Sequence, residues 1–242
     1  MASQILLLTI IHFVQMTESL NVLYEDNHLL AIDKPAGILV QGDETGDKPL
    51  VEICKEYIKA AYRKPGEVFL GVVHRLDRPV SGVVVFARTS KALTRMNELF
   101  RSRETQKVYW AISDQMPLAE EGTLIHWLKK DEKKNRTTSF KKETPGALRS
   151  ELQYKLISKR NSRYLLEIQP ITGRSHQIRV QLATVGCPIL GDIKYGSSCI
   201  TGDGSIALHA HSLSFLHPVK KEMLTIKALT PDKEWWNDFD KK

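Results

Sequence analysis

Cysteine is scarce in this sequence, and long apolar segments are missing. The chain has 3 cysteines, Cys54, Cys187 and Cys199, and none of them stands in a C-x-x-C pair. This spacing excludes a zinc site built on such a pair and a disulfide framework, and it is typical of a reducing cytoplasm, where we place the chain. No segment reaches the ~18 consecutive apolar residues that a membrane-spanning helix needs, so we predict no membrane partner.

The N-terminal segment also lacks the marks of a secretory signal. The short apolar run Ile5 to Val14 has no basic segment before it and no small-residue cleavage site after it. No internal repeat or low-complexity linker divides the rest of the chain. We therefore expect two parts. Residues 1–20 form an extension, either an added helix or strand or a product of translation upstream of the native start, and residues 21–242 form one domain.

Motifs for nucleotide and metal binding are absent as well. Lys34-Pro35-Ala36-Gly37 lacks the G-x-x-x-x-G-K-[ST] frame of a phosphate loop, so we interpret it as a turn. No histidines, cysteines or carboxylates stand at zinc-ligand spacing. The sequence predicts neither a cofactor nor a metal.

What the chain does have is an excess of positive charge. Its 242 residues include 35 Lys+Arg and 28 Asp+Glu, a net charge of +7. A hydrophobic content of 42% is ordinary for a soluble globular protein and suffices for a core. The basic balance favours a polyanionic partner such as a nucleic acid.

Hydrophobic periodicity predicts many strands and few helices, which is typical of an α+β fold. Helices are predicted at Pro49–Arg63, at Lys91–Arg103 after a Thr89 or Ser90 cap, and at Ser175–Val185. Strands are predicted at Val83–Ala87, Gln106–Ser113, Thr123–Leu128, Arg149–Ile157, Arg163–Gln169, Ala207–Phe215 and Met223–Ala228. Residues 129–142 are predicted to be a polar, basic connection between two strands.

The stretch His74 to Gly82 carries the most chemical information. It sets Asp77 between Arg75 and Arg78 in a loop before a buried strand. Neighbouring positive charge keeps a carboxylate ionised, and a rigidly held anionic Asp is a candidate nucleophile. The alternative is a structural salt bridge.

The sequence of this loop, H-R-L-D-R-P-V-S-G, resembles the active-site loop of the RluA-type pseudouridine synthases. Further segments resemble that family in the same order: Leu23–Gly37, Gln106–Ala111, Pro170–Arg179, Gly186–Asp192 and Leu208–Ala210. Val80 departs from the pattern, because the family usually has a hydroxyl residue there.

The resemblance implies a mixed, mainly antiparallel sheet split into two lobes with the active cleft between them. It also implies isomerisation of uridine in structured RNA, ribosomal or transfer, to pseudouridine, without metal or organic cofactor. We expect a monomer with no obligate protein partner.

Three catalytic roles follow from the resemblance. Asp77 is expected to be the nucleophile, and Tyr109 to stack on the target uracil while Trp110 enters the core. Arg174 is expected to pair with Asp77. From the residues alone, Arg174 stands at the start of a helix that Thr172 could cap, which suits an anion, or else it holds an ordinary surface acid.

RNA contacts are predicted for further basic residues. Arg75 is expected to fill the space left by the flipped base, the alternative being a second salt bridge to Asp77. Arg179 is expected to be structural or RNA-facing. The remaining predicted RNA-binding residues are His74, Arg78, Lys133, Lys134 and Arg136, of which the last three lie in a run that could equally be a solvated loop.

Two rival functions stay open at this point. The first is a non-catalytic RNA-binding module on the same fold. The second is a hydrolase using His74 and Asp77, although their spacing does not build a nucleophile–base pair and no G-x-S-x-G elbow is present.

Overall fold

The computed structural model describes residues 20–240. The apolar run Ile5 to Val14, and all but the last residue of the predicted extension, lie outside the described residues. Within residues 20–240 no helix is long and apolar enough to cross a membrane.

The described strands form one continuous sheet. Their bounds are β1 Val22–Glu25, β2 Leu29–Lys34, β3 Gly71–Val72, β4 Ser81–Ala87, β5 Gln106–Ser113, β6 Glu121–Asp131, β7 Arg136–Phe140, β8 Leu148–Arg160, β9 Arg163–Pro170, β10 Leu208–Leu216 and β11 Met223–Lys227. The order is β1-β2-β4-β10-β5-β9-β8-β6-β7, with β3 added to β4 and β11 to β10. The β4–β10 pair is parallel and the other described pairs are antiparallel. The predicted α+β class and mixed, mainly antiparallel sheet are confirmed, and the two halves of the molecule belong to the same sheet.

Four helices among the described residues pack on this sheet: α1 Leu50–Ala61, α2 Ser90–Arg101, α3 Gln177–Thr184 and α4 Glu234–Asp240. Helix α2 begins where the Thr89 side chain accepts a hydrogen bond from the Ala92 amide, as predicted. Helix α3 begins two residues later than predicted. Its first turn is not capped by Thr172, because that hydroxyl contacts Gln177 and the Glu151 backbone instead.

The segment 129–142 is not the polar connection that the sequence predicted. Strands β6 and β7 run through most of it as a hairpin, and Lys133 and Lys134 lie at its turn. Charged side chains hid the strand signal, because one face of this hairpin is solvent-exposed. The Thr137 side chain on the other face is buried.

The centre of the sheet fixes the loop that precedes β4. All residues of β4 are buried, so its backbone cannot shift. Gly82 has φ +112°, and a Cβ there would lie 2.4 Å from the Ala210 carbonyl oxygen in β10. Ser81 Oγ lies 2.9 Å from Nδ1 of the buried His209. The C-terminal end of the Asp77 loop is therefore clamped onto the neighbouring strand.

Candidate active site

A cavity of about 300 Å³ opens beside Asp77. The Asp77 loop, the β5 residues Lys107 and Tyr109, Phe100 of α2, and the segment from Pro170 into α3 line its wall. Residues more than 100 positions apart in the chain thus meet here. From the sequence, only the family resemblance predicted that these segments form one site.

A buried lysine, Lys34, contacts the backbone of the Asp77 loop. The Lys34 side chain has no exposed surface, and its ammonium group donates hydrogen bonds to the carbonyl oxygens of Pro35 at 2.9 Å, Ile38 at 2.8 Å and Arg78 at 3.2 Å. Burial lowers the pKa of Lys34 to about 7, although the negative charge of Asp77 acts to raise it. The sequence analysis assigned only a turn here and missed this contact, since Arg78 lies 44 positions away.

Asp77 is paired with Arg179, not with Arg174. Arg179 Nη1 donates to Asp77 Oδ2 at 2.9 Å, while Nε and Nη2 donate to Asp192 at 2.7 and 2.9 Å. Both Arg179 and Asp192 are buried. Burial opposes the charged state of Arg179, but Asp192 and then Asp77 raise its pKa above the ordinary value. The two hydrogen bonds to Asp192 thus fix the guanidinium, and its Nη1 is directed at the Asp77 carboxylate.

The prediction that Arg174 pairs with Asp77 is therefore wrong. Arg174 lies before the first turn of α3 and is exposed, whereas Arg179 lies inside the helix and is buried against Asp77 and Asp192. Among the described residues the Arg174 side chain forms no ion pair with Asp77. Arg174 remains at the cavity, in its wall near the opening. Asp192, which completes the pair, was not among the predicted site residues, although it closes the Gly186–Asp192 segment of the resemblance.

A second contact to Asp77 comes from His176. Its Nε2 lies 3.8 Å from Asp77 Oδ2, and its Nδ1 lies 2.7 Å from the Tyr195 hydroxyl. The Thr137 amide donates to that hydroxyl at 2.9 Å, so the Tyr195 hydroxyl links strand β7 to the His176 ring. Burial lowers the pKa of His176 despite the nearby Asp77, which keeps the ring neutral.

The backbone at His176 is unusual. It has φ 53° and ψ 20°, the left-handed region, which is uncommon for a residue with a side chain. Gln177 supports the turn: its amide oxygen accepts from Thr172 Oγ1 and from the Arg174 amide, and its Nε2 donates to the Glu151 carbonyl. Such conformations persist where surrounding contacts hold them, often at functional sites. His176 and Gln177 are a hydrogen-bonding scaffold, as predicted.

Tyr109 and Trp110 lie on opposite faces of β5, as strand alternation requires. Tyr109 is half-buried in the cavity wall, and burial together with the charge of Asp77 raises the pKa of its hydroxyl well above the ordinary value. Trp110 packs against the core and stacks on His211 with ring centroids 3.9 Å apart. A neutral phenol and an aromatic face are therefore presented to whatever enters the cavity.

The predicted RNA-binding residues of the loop have different surroundings. Arg75 is exposed at the cavity, and within residues 20–240 it forms no second salt bridge to Asp77. Arg78 is turned away and forms an ion pair with Asp47 at 2.5 Å. His74 Nε2 accepts a hydrogen bond from the Val85 amide at 3.1 Å, and its ring stacks on Phe100. These contacts favour structural roles for Arg78 and His74.

The His74 contacts also remove the hydrolase alternative. Burial, and then Lys107, lower the pKa of His74 to about 4, so the ring is neutral. Its Nε2 is occupied by a backbone amide, and within residues 20–240 it does not contact Asp77. The pair that a nucleophile–base mechanism requires is not formed.

The β6–β7 hairpin contacts the residues that hold His176. Thr137 donates through its hydroxyl to the Ser175 carbonyl at 3.0 Å and through its amide to Tyr195. Lys133, Lys134 and Arg136 are exposed, and the Arg136 guanidinium carbon lies 5.7 Å from the Tyr195 ring centroid. The hairpin thus carries its basic turn beside the scaffold of Asp77.

Comparison with known proteins agrees with this geometry. Residues 28–184 match the family described as RNA pseudouridylate synthase. The chain is 34% identical to ribosomal large subunit pseudouridine synthase D of Xanthomonas campestris, covering 95% of this chain and 71% of that protein. It is 30% identical to ribosomal large subunit pseudouridine synthase C of Vibrio cholerae, of whose length it spans only 64%. The structure of human RNA Pseudouridylate Synthase Domain Containing 4 superimposes with a TM-score of 0.75 and 27% identity over 92% of each chain.

The Asp77 loop, the residues that hold it and the sheet thus agree with the family match, which covers more than half of the chain. The chain belongs to the RNA pseudouridylate synthase family, and its resemblance to the RluA-type synthases is confirmed.

Proposed function

We propose that this protein is an RNA pseudouridine synthase that isomerises specific uridines in structured RNA, with Asp77 as the catalytic group. The observation that carries the proposal is the fixed carboxylate in a cavity: Arg179 binds Asp77 Oδ2 at 2.9 Å, and Tyr109 lines the same cavity. An aspartate held in this way stays oriented without help from the substrate.

The arrangement at Asp77 leaves one of its oxygens for chemistry. Both ion-pair contacts among the described residues, from Arg179 and His176, go to Oδ2. Oδ1 is the atom we assign to the ribose, either by attack at C1′ or by removal of the 2′ proton. A primary isotope effect with 2′-deuterated uridine would support proton removal, and its absence would support attack.

The reaction balances without a co-reactant. The N1–C1′ bond of uridine breaks, the uracil turns within the cavity, and a C5–C1′ bond forms. The proton lost from C5 is matched by the proton gained at N1. Because there is neither net oxidation nor hydrolysis, the proposed reaction requires no metal and no organic cofactor.

Tyr109 supports retention of the free uracil. Stacking of a base on an aromatic side chain contributes roughly 1–3 kcal/mol. The Tyr109 hydroxyl, kept neutral by its raised pKa, can donate to or relay a proton near C5. Arg75 is exposed at the cavity, which suits the insertion into the RNA stack that we assign to it.

For the substrate, we infer ribosomal RNA first and transfer RNA as the alternative. The large-subunit names of the relatives support the first choice. The free thiols Cys54, Cys187 and Cys199 support action in a reducing cytoplasm, where we infer that the protein works as a monomer.

The test is tritium release from RNA labelled at C5 of uridine. Transcripts of large-subunit ribosomal RNA and of transfer RNA are incubated with the wild-type protein and with Asp77→Asn. We expect release by the wild type on at least one transcript and none by the variant. Equal release by both would refute Asp77 as the catalytic group. Binding without any release would favour the non-catalytic RNA-binding module instead.

A further inference from the structure

Lys107 is a cavity residue that the proposed mechanism does not use. It lies two positions before Tyr109 on β5 and shares its face of the strand. Its side chain is half-buried in the cavity wall, and its Nζ lies 6.0 Å from the Phe100 ring centroid. That distance is at the outer limit of a cation–π contact, so the ring contributes little to holding the ammonium group.

The Lys107 ammonium has no anionic partner among the residues that the structure describes. Within residues 20–240, it forms no ion pair and donates no side-chain hydrogen bond. Burial, and then the positive charge of Arg103, lower the pKa of Lys107. Among the described residues the ammonium group thus has no acceptor, and it lines a cavity in which an anionic group of a ligand can supply one.

We propose that Lys107 binds a backbone phosphate of the RNA next to the uridine in the cavity. The inference rests on the proposed function, since it places that uridine against Tyr109 and Asp77. Strand β5 is exposed at Gln106 and becomes buried toward Ser113, so Lys107 lies nearer to solvent along the strand than Tyr109 does. This position suits a contact with the RNA backbone, while Tyr109 contacts the base. An ammonium group is a suitable point charge for a phosphate.

The experiment measures the affinity for oligouridylate at several salt concentrations, in the Asp77→Asn protein so that no RNA is converted. We expect Lys107→Met and Lys107→Gln to weaken binding about tenfold at low salt, the loss of one charged hydrogen bond. Both should flatten the log–log salt slope by about 0.7, the value for one single-strand phosphate. Lys107→Arg should retain both the affinity and the slope.

Lys159→Met is the matched control. Lys159 also lies over an aromatic ring, with Nζ 5.3 Å from the Tyr164 centroid, but it does not line the cavity. It should leave affinity and slope unchanged. With Asp77 intact, Lys107→Met should raise KM for the ribosomal transcript and leave kcat within a fewfold of wild type.

Three outcomes overturn the inference. If Lys107→Gln keeps wild-type binding while Lys107→Met does not, the partner is a neutral carbonyl of the base. If neither variant changes binding, Lys107 does not contact RNA. If Lys107→Met lowers the melting temperature without changing the salt slope, its role is structural. A flattened slope in a protein that releases no tritium from any transcript would leave this inference standing and refute the proposed activity.

Discussion

The two sides of the cavity differ in how their charges are satisfied. On the Asp77 side, the carboxylates of Asp77 and Asp192 converge on Arg179, and His176 is bound to Tyr195. Three other residues of the cavity lining, Arg75, Lys107 and Arg174, form no ion pair among the described residues. We call these three residues the binding side of the cavity and the cluster around Asp77 the chemical side. The charges of the chemical side are already paired in the free protein, which suits catalysis. The binding side has cations without paired anions, which suits binding of the RNA phosphates.

The sharpest test of the comparison removes the charge of Asp77. Asp77→Asn keeps the size of the side chain and much of its hydrogen bonding, so we expect RNA binding to persist and turnover to disappear. The measurement is single-turnover conversion of substrate RNA. A rate within tenfold of wild type would end the case for Asp77 as the catalytic group and would leave the chemical side of the cavity without a catalytic explanation.

Replacing Arg179 and Arg174 separately with Ala should distinguish the chemical side from the binding side. Arg179→Ala leaves Asp192 buried without a counter-charge, so we expect a destabilisation of about 3–5 kcal/mol together with loss of turnover. Arg174→Ala should keep the melting temperature and the turnover of saturating RNA, and weaken only binding. Denaturant unfolding and single-turnover rates measure both. The reverse pattern would restore the pairing of Asp77 with Arg174 that the sequence suggested.

Tyr109→Phe tests whether the hydroxyl belongs to the chemical side. The ring keeps its stacking face, so RNA affinity should be unchanged. Loss of a positioned proton donor or relay should lower turnover by about a hundredfold. The measurement pairs binding titrations with tritium release. Unchanged turnover would restrict Tyr109 to stacking.

A smaller effect is expected at the β6–β7 hairpin. Replacing Lys133, Lys134 and Arg136 with Ala removes exposed cations outside the cavity, so RNA affinity should fall and the salt slope should flatten by about 0.7 for each single-strand phosphate that is no longer contacted. The rate on bound RNA should be nearly intact. The outcome that removes this hairpin from the interface is an unchanged slope.

The smallest effect concerns pH. His74 has a pKa lowered from 6.5 to about 4, so the unfolded chain binds more protons than the native protein between these values. Stability should be fully present above pH 6.5 and decline as the pH falls toward 4. Urea unfolding across this range should show a shallower decline for His74→Gln. An equal decline in both proteins would place the titration elsewhere.

Local signals in the sequence predicted much of this fold. The bounds of β5 were predicted correctly, and the cap of α2 was narrowed to Thr89 or Ser90, of which Thr89 is the cap, because alternation and capping act over a few residues. The predicted strand Thr123–Leu128 lies within β6, whereas the end of β6 and strand β7 were missed because their charged face obscured the alternation. The choice between Arg174 and Arg179 depended on where α3 begins and on Asp192, which lies 13 positions beyond Arg179. No local pattern specifies such a pairing.

The clamp on the Asp77 loop has a consequence for the order in which the protein matures during synthesis. Ser81 is held by His209, 128 positions later, and the β4–β10 pair joins the same distant segments. A chain emerging from the ribosome therefore has its loop long before it has the strand that fixes it. The arginine that orients Asp77 also arrives late, 102 positions after the loop. The arrangement around Asp77 is consequently completed only after His209 has been synthesised, and shorter chains have Asp77 in a loop that is not yet fixed.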